Sequence, residues 1–220
     1  MVIVFDMDDT LYPESSFVLS ALAETGKYAE ERWGYKYFQS TLEKLFLQGE
    51  KTHLFQKAAL SNQSPEFQPS QIEELLNFYR NHKPDSLPWY PDALEIVPQL
   101  AERFSLGLIS DGYLPVQSNK VNALGVQRWF KEIILTEELG RMHWKPAPTA
   151  FNLMMQRFPD EKFTYIGDNP RKDFVAPRQL GWQTIQILRP DGQYSGLTAQ
   201  AITPADHQIS DLRQLNGLLK

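Results

Sequence analysis

Val2-Ile3-Val4-Phe5-Asp6-Met7-Asp8-Asp9-Thr10 is the stretch on which the reading of this chain turns. A short β-branched apolar run of this kind reads as a buried strand. In an open α/β sheet the carboxyl end of such a strand borders the ligand crevice. Three carboxylates, Asp6, Asp8 and Asp9, crowd that end, an arrangement that is costly unless a cation compensates it.

Further short apolar runs end in small or polar residues: Ser105 to Ile109 before Ser110-Asp111-Gly112, Glu132 to Leu135 before Thr136, Phe163 to Ile166 before Gly167-Asp168, and Thr184 to Leu188. Between them lie segments with apolar spacing of three and four, such as Val116 to Leu124 and Ala147 to Phe158. That alternation predicts α/β architecture, a parallel sheet with crossover helices. In a parallel sheet Asp6, Ser110 and Asp168 all stand at carboxyl ends of strands and converge on one crevice.

From Pro13 to about Leu87 the rhythm changes to helical patterns, among them Phe17 to Trp33, Tyr37 to Leu47 and Ile72 to Arg80, broken at Gly49, Ser61 to Pro65 and Pro69. The prolines at 84, 88 and 91 mark a return to the core. The organisation expected is a catalytic core over 1–14 and 88–220 with a helical insertion over 15–87. Ile209-Ser210-Asp211 followed by leucines at 212, 215, 218 and 219 reads as a strand end, an N-cap and a closing helix.

The chain has 220 residues, 42% of them hydrophobic, enough for one enzyme-sized core with an insertion. A net charge of −5 without a Lys/Arg block provides no electrostatic footprint for nucleic acid or an anionic membrane, so the partner expected is a small molecule. The absence of cysteine excludes disulfides, thiolate catalysis and Cys-type zinc sites. The first apolar run is too short for a signal h-region and no run is long enough to span a bilayer, so a cytoplasmic location is expected. The four histidines show no ligand spacing; only His143, two residues before Lys145, is placed to approach the crevice.

Taken one at a time, the polar residues have ordinary readings. Ser110 reads as a cap for the helix beginning near Leu114, Lys145 as a solvated lysine, and Asp168-Asn169-Pro170 as a turn. Together, Asp6-Met7-Asp8-Asp9-Thr10, Ser110, Trp144-Lys145-Pro146 and Gly167-Asp168-Asn169-Pro170-Arg171-Lys172-Asp173 form four strand-end motifs in order. At these residues the chain resembles the haloacid dehalogenase (HAD) superfamily, in its phosphatase branch with a C1-type helical cap. The resemblance covers residues 1 to about 14 and about 88 to 220, with the insertion alike in position and helical character. It implies a Rossmann-like three-layer parallel core with that cap inserted after the first motif.

The resemblance also implies roles. Asp6 would be the nucleophile that forms an aspartyl-phosphate, a task suited to a carboxylate because it needs no activating base. Asp8 would be the general acid and base, with a pKa expected to be raised by its carboxylate neighbours and partial desolvation. Magnesium would be held by the Asp6 carboxylate, the Asp8 backbone carbonyl and Asp168, with Asp173 orienting the site directly or through water. Ser110 and Lys145 would bind the phosphoryl group. Asp9 is left to the turn and Thr10 to bracing the loop through its hydroxyl, and the aromatics Tyr12, Phe17, Trp33, Tyr35, Tyr37 and Phe38 mostly to packing.

The function expected is magnesium-dependent hydrolysis of a small soluble phosphorylated metabolite. Three alternatives stand beside it: a non-catalytic phosphate-binding module, a phosphomutase, and a 2-haloacid dehalogenase. The last has no need of a second acid at position 8.

Overall fold

The computed structural model describes residues 1–194 and 203–219. The chain divides into two compact units, Met1–Glu14 with Ser86–Lys220, and Ser15–Asp85.

The first unit is built on six parallel strands: β1 (Val2–Phe5), β2 (Ser105–Ser110), β3 (Glu132–Leu135), β4 (Phe163–Gly167), β5 (Gln183–Ile187) and β6 (His207–Ile209). Their spatial order is β3-β2-β1-β4-β5-β6, with every pairing parallel. The connections run from β1 outward in both directions, which places a topological switch point at the carboxyl end of β1. The flanking helices are α5 (Pro91–Arg103), α6 (Leu114–Leu124), α7 (Thr149–Arg157), α8 (Val175–Gln179) and α9 (Leu215–Leu218).

The apolar runs are continuous because this sheet is covered on both faces. Val2 and Val4 pack with Phe151 and Met154 of α7 and Ala176 of α8. The alternate residues Ile3 and Phe5 are also buried, and Phe5 meets Phe130 edge-on at 5.9 Å. Trp182 stacks on Phe163 at 4.4 Å and meets Phe151 at 5.4 Å. α6 begins at Leu114, as expected, with Pro115 in its first turn, a position that tolerates proline because the N–H there has no helical partner. One boundary departs from the sequence reading. α7 begins at Thr149 rather than 147, after two prolines. Asp211 accepts a hydrogen bond from the Arg213 N–H at 2.8 Å and caps the closing turns.

The second unit is helical, comprising most of α1 (Glu14–Trp33) together with α2 (Phe38–Leu47), α3 (Leu54–Ser61) and α4 (Pro69–Arg80). Its centre gathers Leu22, Phe38, Leu42, Ala58 and Leu75. Phe67 stacks on Tyr35 at 4.4 Å with Trp33 and Phe38 against its edges, so these aromatics do pack. Tyr37 departs from that expectation, being 76% exposed.

α1 and α2 meet at Gly26, where a Cβ would lie 2.4 Å from the Gln39 Cα. Helix propensity alone makes Gly→Ala favourable by about 1 kcal/mol, but overpacking against rigid backbone costs about 1–3 kcal/mol or more. The steric cost wins, and Gly26→Ala is expected to lower the midpoint of chemical denaturation.

Candidate active site

Because β1 lies between β2 and β4 in a parallel sheet, the residues that follow the three strands meet at one end. Phe5 pairs with Leu108 on one side and Ile166 on the other, and the Asp6 N–H donates to the Ile166 carbonyl at 2.8 Å. The chain then turns sharply, with the Leu11 N–H donating to the Met7 carbonyl at 3.0 Å and Asp9 at φ 49°. Both Asp9 oxygens accept backbone N–H groups, from Glu14 at 2.9 Å and Gln193 at 2.8 Å, so Asp9 is committed to the turn. Thr10 braces this loop differently from the expectation. Its hydroxyl is buried without a hydrogen-bond partner among the described residues, and its carbonyl accepts from Arg189 at 2.7 Å.

Asp6, Asp168 and Asp173 form a buried cluster whose carboxylate oxygens lie within 4.8 Å of one another. Among the described residues one ammonium touches this cluster. Lys145 Nζ lies 2.8 Å from Asp6 Oδ1, 2.9 Å from Asp173 Oδ1 and 2.9 Å from the Tyr165 hydroxyl. Three carboxylates against one ammonium leave two negative charges uncompensated, and the donors are all hard oxygens; both features suit a divalent cation. Electrostatics reports the same crowding. Burial, with the neighbouring Asp173 charge and against the opposing pull of Lys145, raises the Asp6 pKa to about 7. Burial, with Asp173 and Asp6, raises that of Asp168 well above the carboxylate range. Lys145 is buried, yet the Asp173 and Asp6 charges outweigh desolvation and hold it firmly protonated.

The glycine before Asp168 has a steric reason. A Cβ on Gly167 would lie 2.5 Å from Asp173 Oδ2, the oxygen that accepts the Asn169 N–H at 2.9 Å. Only glycine lets the spaced aspartate fold back onto its own loop.

Asp8 has a separate environment. Its Oδ1 accepts the Tyr12 hydroxyl at 2.6 Å and Lys120 Nζ at 2.8 Å, and its Oδ2 accepts the Gln117 amide at 2.9 Å. Burial pushes the carboxyl up, but the Lys120 charge and these hydrogen bonds outweigh it, and the Asp8 pKa is lowered. This corrects the sequence expectation of a raised value. The residues responsible, Gln117 and Lys120, stand far along the chain from Asp8 and could not be paired with it by spacing. Tyr12 is fully buried, as expected of a packing residue, and its hydroxyl in addition donates to Asp8.

Ser110, at the end of β2, is buried, and its Oγ accepts from the Gln117 amide at 3.1 Å. It does not cap α6: the first N–H of that helix, on Leu114, donates to the Glu137 carboxylate. Asp111 ties the motifs together, accepting from the Thr136 hydroxyl at 2.8 Å, the Lys145 N–H at 3.1 Å and Lys172 Nζ at 2.7 Å. His143 does not join them. Its ring pairs with the Thr149 hydroxyl at 2.8 Å.

A cavity of about 170 Å³ opens over these groups. Asp6, Asp8, Asp111 and Asp168 are on its wall with Lys172 and Tyr194, whereas Ser110, Lys145 and Asp173 are buried beside it. Lys172 and Tyr194 were not singled out in the sequence; neither lies at a strand end.

Since the folded-state pKa of Asp6 is raised from 3.8 to about 7, its contribution to stability is full below its unfolded value and is lost as pH rises through 7. A cation that needs these carboxylates ionised reverses that loss. Added magnesium is therefore expected to raise the melting temperature more at pH 8 than at pH 5.5. Asp168→Asn should abolish the increment while making the metal-free protein less sensitive to rising pH. Equal increments at both pH values would contradict this electrostatic picture.

The profile of the haloacid dehalogenase-like hydrolases matches residues 3–187. The chain is 29% identical to the glyceraldehyde 3-phosphate phosphatase of Methanocaldococcus jannaschii, covering 99% of this chain and 96% of that protein. It is 26% identical to the phosphoserine phosphatase of Thermus thermophilus, over 67% of this chain and 57% of that protein. Among solved structures, a HAD hydrolase of Bacillus subtilis bound to magnesium superposes with a TM-score of 0.69 at 20% identity, covering 100% and 98% of the two chains. A 2-haloacid dehalogenase of Pseudomonas syringae does so with 0.66 at 20% identity, covering 99% and 97%. Strand order, motif order and the extent of the profile match agree, and the chain belongs to the haloacid dehalogenase-like hydrolases.

Proposed function

We propose that this hydrolase is a magnesium-dependent phosphatase that cleaves a small phosphomonoester through an aspartyl-phosphate on Asp6, with the unit Ser15–Asp85 as its cap. The observation that carries the reading is the pair of aspartates two residues apart with different surroundings. Asp6 lies in the carboxylate cluster beside Lys145, and Asp8 is held outside that cluster on the same cavity wall. A dehalogenase would need only the first. The phosphatase relatives support the same reaction class and make a three-carbon phosphate the first substrate to try.

The Asp6 and Asp168 carboxylates, with the Asp8 backbone carbonyl that the family resemblance implies, would hold magnesium, which would supply charge neutralisation for an anionic nucleophile meeting an anionic substrate. Asp173, already engaged by Lys145 and the Asn169 N–H, orients the cluster. Asp6 attacks phosphorus and the leaving oxygen takes a proton from Asp8. In the second half-reaction Asp8 removes a proton from water as its oxygen attacks phosphorus, which restores the Asp6 carboxylate and Asp8 in its acid form. The ionised form of Asp8 favoured in the resting site is the base that the second half requires. The acid form is favoured when a dianionic phosphate enters beside it, because a like charge raises a carboxyl pKa. Ser110, whose Oγ already accepts from Gln117, keeps its own hydrogen for a phosphoryl oxygen. Lys145, held by Asp6 and Asp173, positions the nucleophile and balances negative charge on the transferring phosphoryl group.

Phosphate release from p-nitrophenyl phosphate should require magnesium, and Asp6→Asn should reduce it by on the order of 10³-fold or more. Turnover without metal, or surviving in that variant, would refute the proposal. Asp8→Asn should slow turnover by about 10²–10⁴-fold while retaining the magnesium-induced rise in melting temperature, since residue 8 would hold the metal through its backbone carbonyl and not its side chain. A panel containing glyceraldehyde 3-phosphate and phosphoserine then ranks the substrates.

A further inference from the structure

α6 presents Gln117, Lys120, Val121 and Leu124 inward, the i, i+3, i+4, i+7 stripe that a helix normally fills with apolar residues. Two of those four positions are polar, and both side chains reach Asp8. Lys120 is 3% exposed, yet its ammonium lies 2.8 Å from Asp8 Oδ1 and 3.3 Å from Glu14 Oε1. A buried ion pair is weak evidence for stability, because an apolar pair of similar volume is often as stable or more so. Gln117 offers a second sign. Its amide nitrogen donates to Asp8 Oδ2, Ser110 Oγ and the Asp111 carbonyl, while its Oε1 is buried without a partner among the described residues. Buried polar atoms are rarely left unpaired, and the exceptions call for an explanation; here a carboxylate that accepts only donors dictates which end of the amide faces it. Gly112 completes the arrangement. At φ 141°, it leaves the space in which a Cβ would lie 2.9 Å from the Gln117 Nε2.

We propose that Gln117 and Lys120 are positioning residues for proton transfer, fixing the Asp8 carboxylate at the cavity wall in the orientation from which it serves the leaving oxygen, and coupling that orientation to Ser110. The inference rests on the phosphatase reading of the site. Tyr12, donating at 2.6 Å to the same oxygen as Lys120, supports the clamp from the motif's own turn. With both carboxylate oxygens held, rotation of the Asp8 side chain requires breaking three hydrogen bonds at once. Because kcat/KM reports only the steps up to formation of the aspartyl-phosphate, preorganisation of this kind shows there in proportion to the leaving group's need of the acid.

The test compares kcat/KM for p-nitrophenyl phosphate, whose leaving group departs with little protonation, with that for a simple alkyl phosphate such as glycerol phosphate, whose alkoxide requires the acid. In Lys120→Met and Gln117→Leu the alkyl phosphate should lose on the order of 10²-fold and p-nitrophenyl phosphate less than about 5-fold. The magnesium-induced rise in melting temperature should persist. Lys120→Arg should recover part of the alkyl phosphate rate. Gly112→Ala, which removes no polar group, should shift the same ratio in the same direction by displacing the Gln117 amide, and it carries the test if Lys120→Met does not fold. An equal loss on both substrates would show a merely structural role and overturn the proposal. A gain on the alkyl phosphate would overturn it as well, by showing that the clamp holds Asp8 back. Wild-type protein that turns over neither phosphate would refute the phosphatase reading itself; an active wild type with an unchanged ratio in the variants would refute only the clamp.

Discussion

The Lys145 ammonium, wedged between Asp6, Asp173 and the Tyr165 hydroxyl, is the contact on which the site depends. It connects the turn after β1, the loop after β4 and the segment that precedes α7. Without it, three carboxylates would be buried together with no positive charge in contact, a state in which they would protonate rather than stay ionised. With it, compensation is still partial. A buried cluster of three acids against one contacting ammonium is poised to take a divalent cation, and the elevated Asp6 and Asp168 pKa values are the measure of that crowding.

The two aspartates of the first motif occupy opposite electrostatic environments on one turn. Asp6 shares its surroundings with acids, and its carboxyl is raised; Asp8 is surrounded by donors, and its carboxyl is lowered. The separation is geometric. The side chains leave the turn toward different elements, Asp6 toward β4 and Lys145, Asp8 toward the buried stripe of α6. Divergent environments for neighbouring titratable groups are the pattern expected where a nucleophile and a proton carrier work on the same substrate.

Backbone approach sets limits that side-chain chemistry then uses. Gly167 lets the Asp173 carboxylate fold against its own loop, and Gly112 leaves space for the Gln117 amide. Asp111, which accepts from Thr136, Lys172 and the Lys145 N–H, joins the loops after β2 and β4 to the segment bearing Lys145. The polar network is therefore continuous from the Asp6, Asp168 and Asp173 cluster to α6.

What the sequence by itself determined was the α/β class, the strands β1 to β5 and the placement of Asp6, Ser110 and Asp168 at strand ends. These follow from local pattern: β-branched runs make strands, and a parallel sheet puts their carboxyl ends on one edge. The order of the motifs was enough to indicate the family. Only the tertiary structure decided what surrounds Asp8. Gln117 and Lys120 look like ordinary surface polar residues until α6 is docked with that stripe inward, and the sign of the Asp8 shift depends on a lysine 112 positions away. The pairing of His143 with Thr149 and the presence of Lys172 and Tyr194 on the cavity wall were equally invisible. Electrostatic shifts arise from distance and burial, and neither is a property of residues read along a chain.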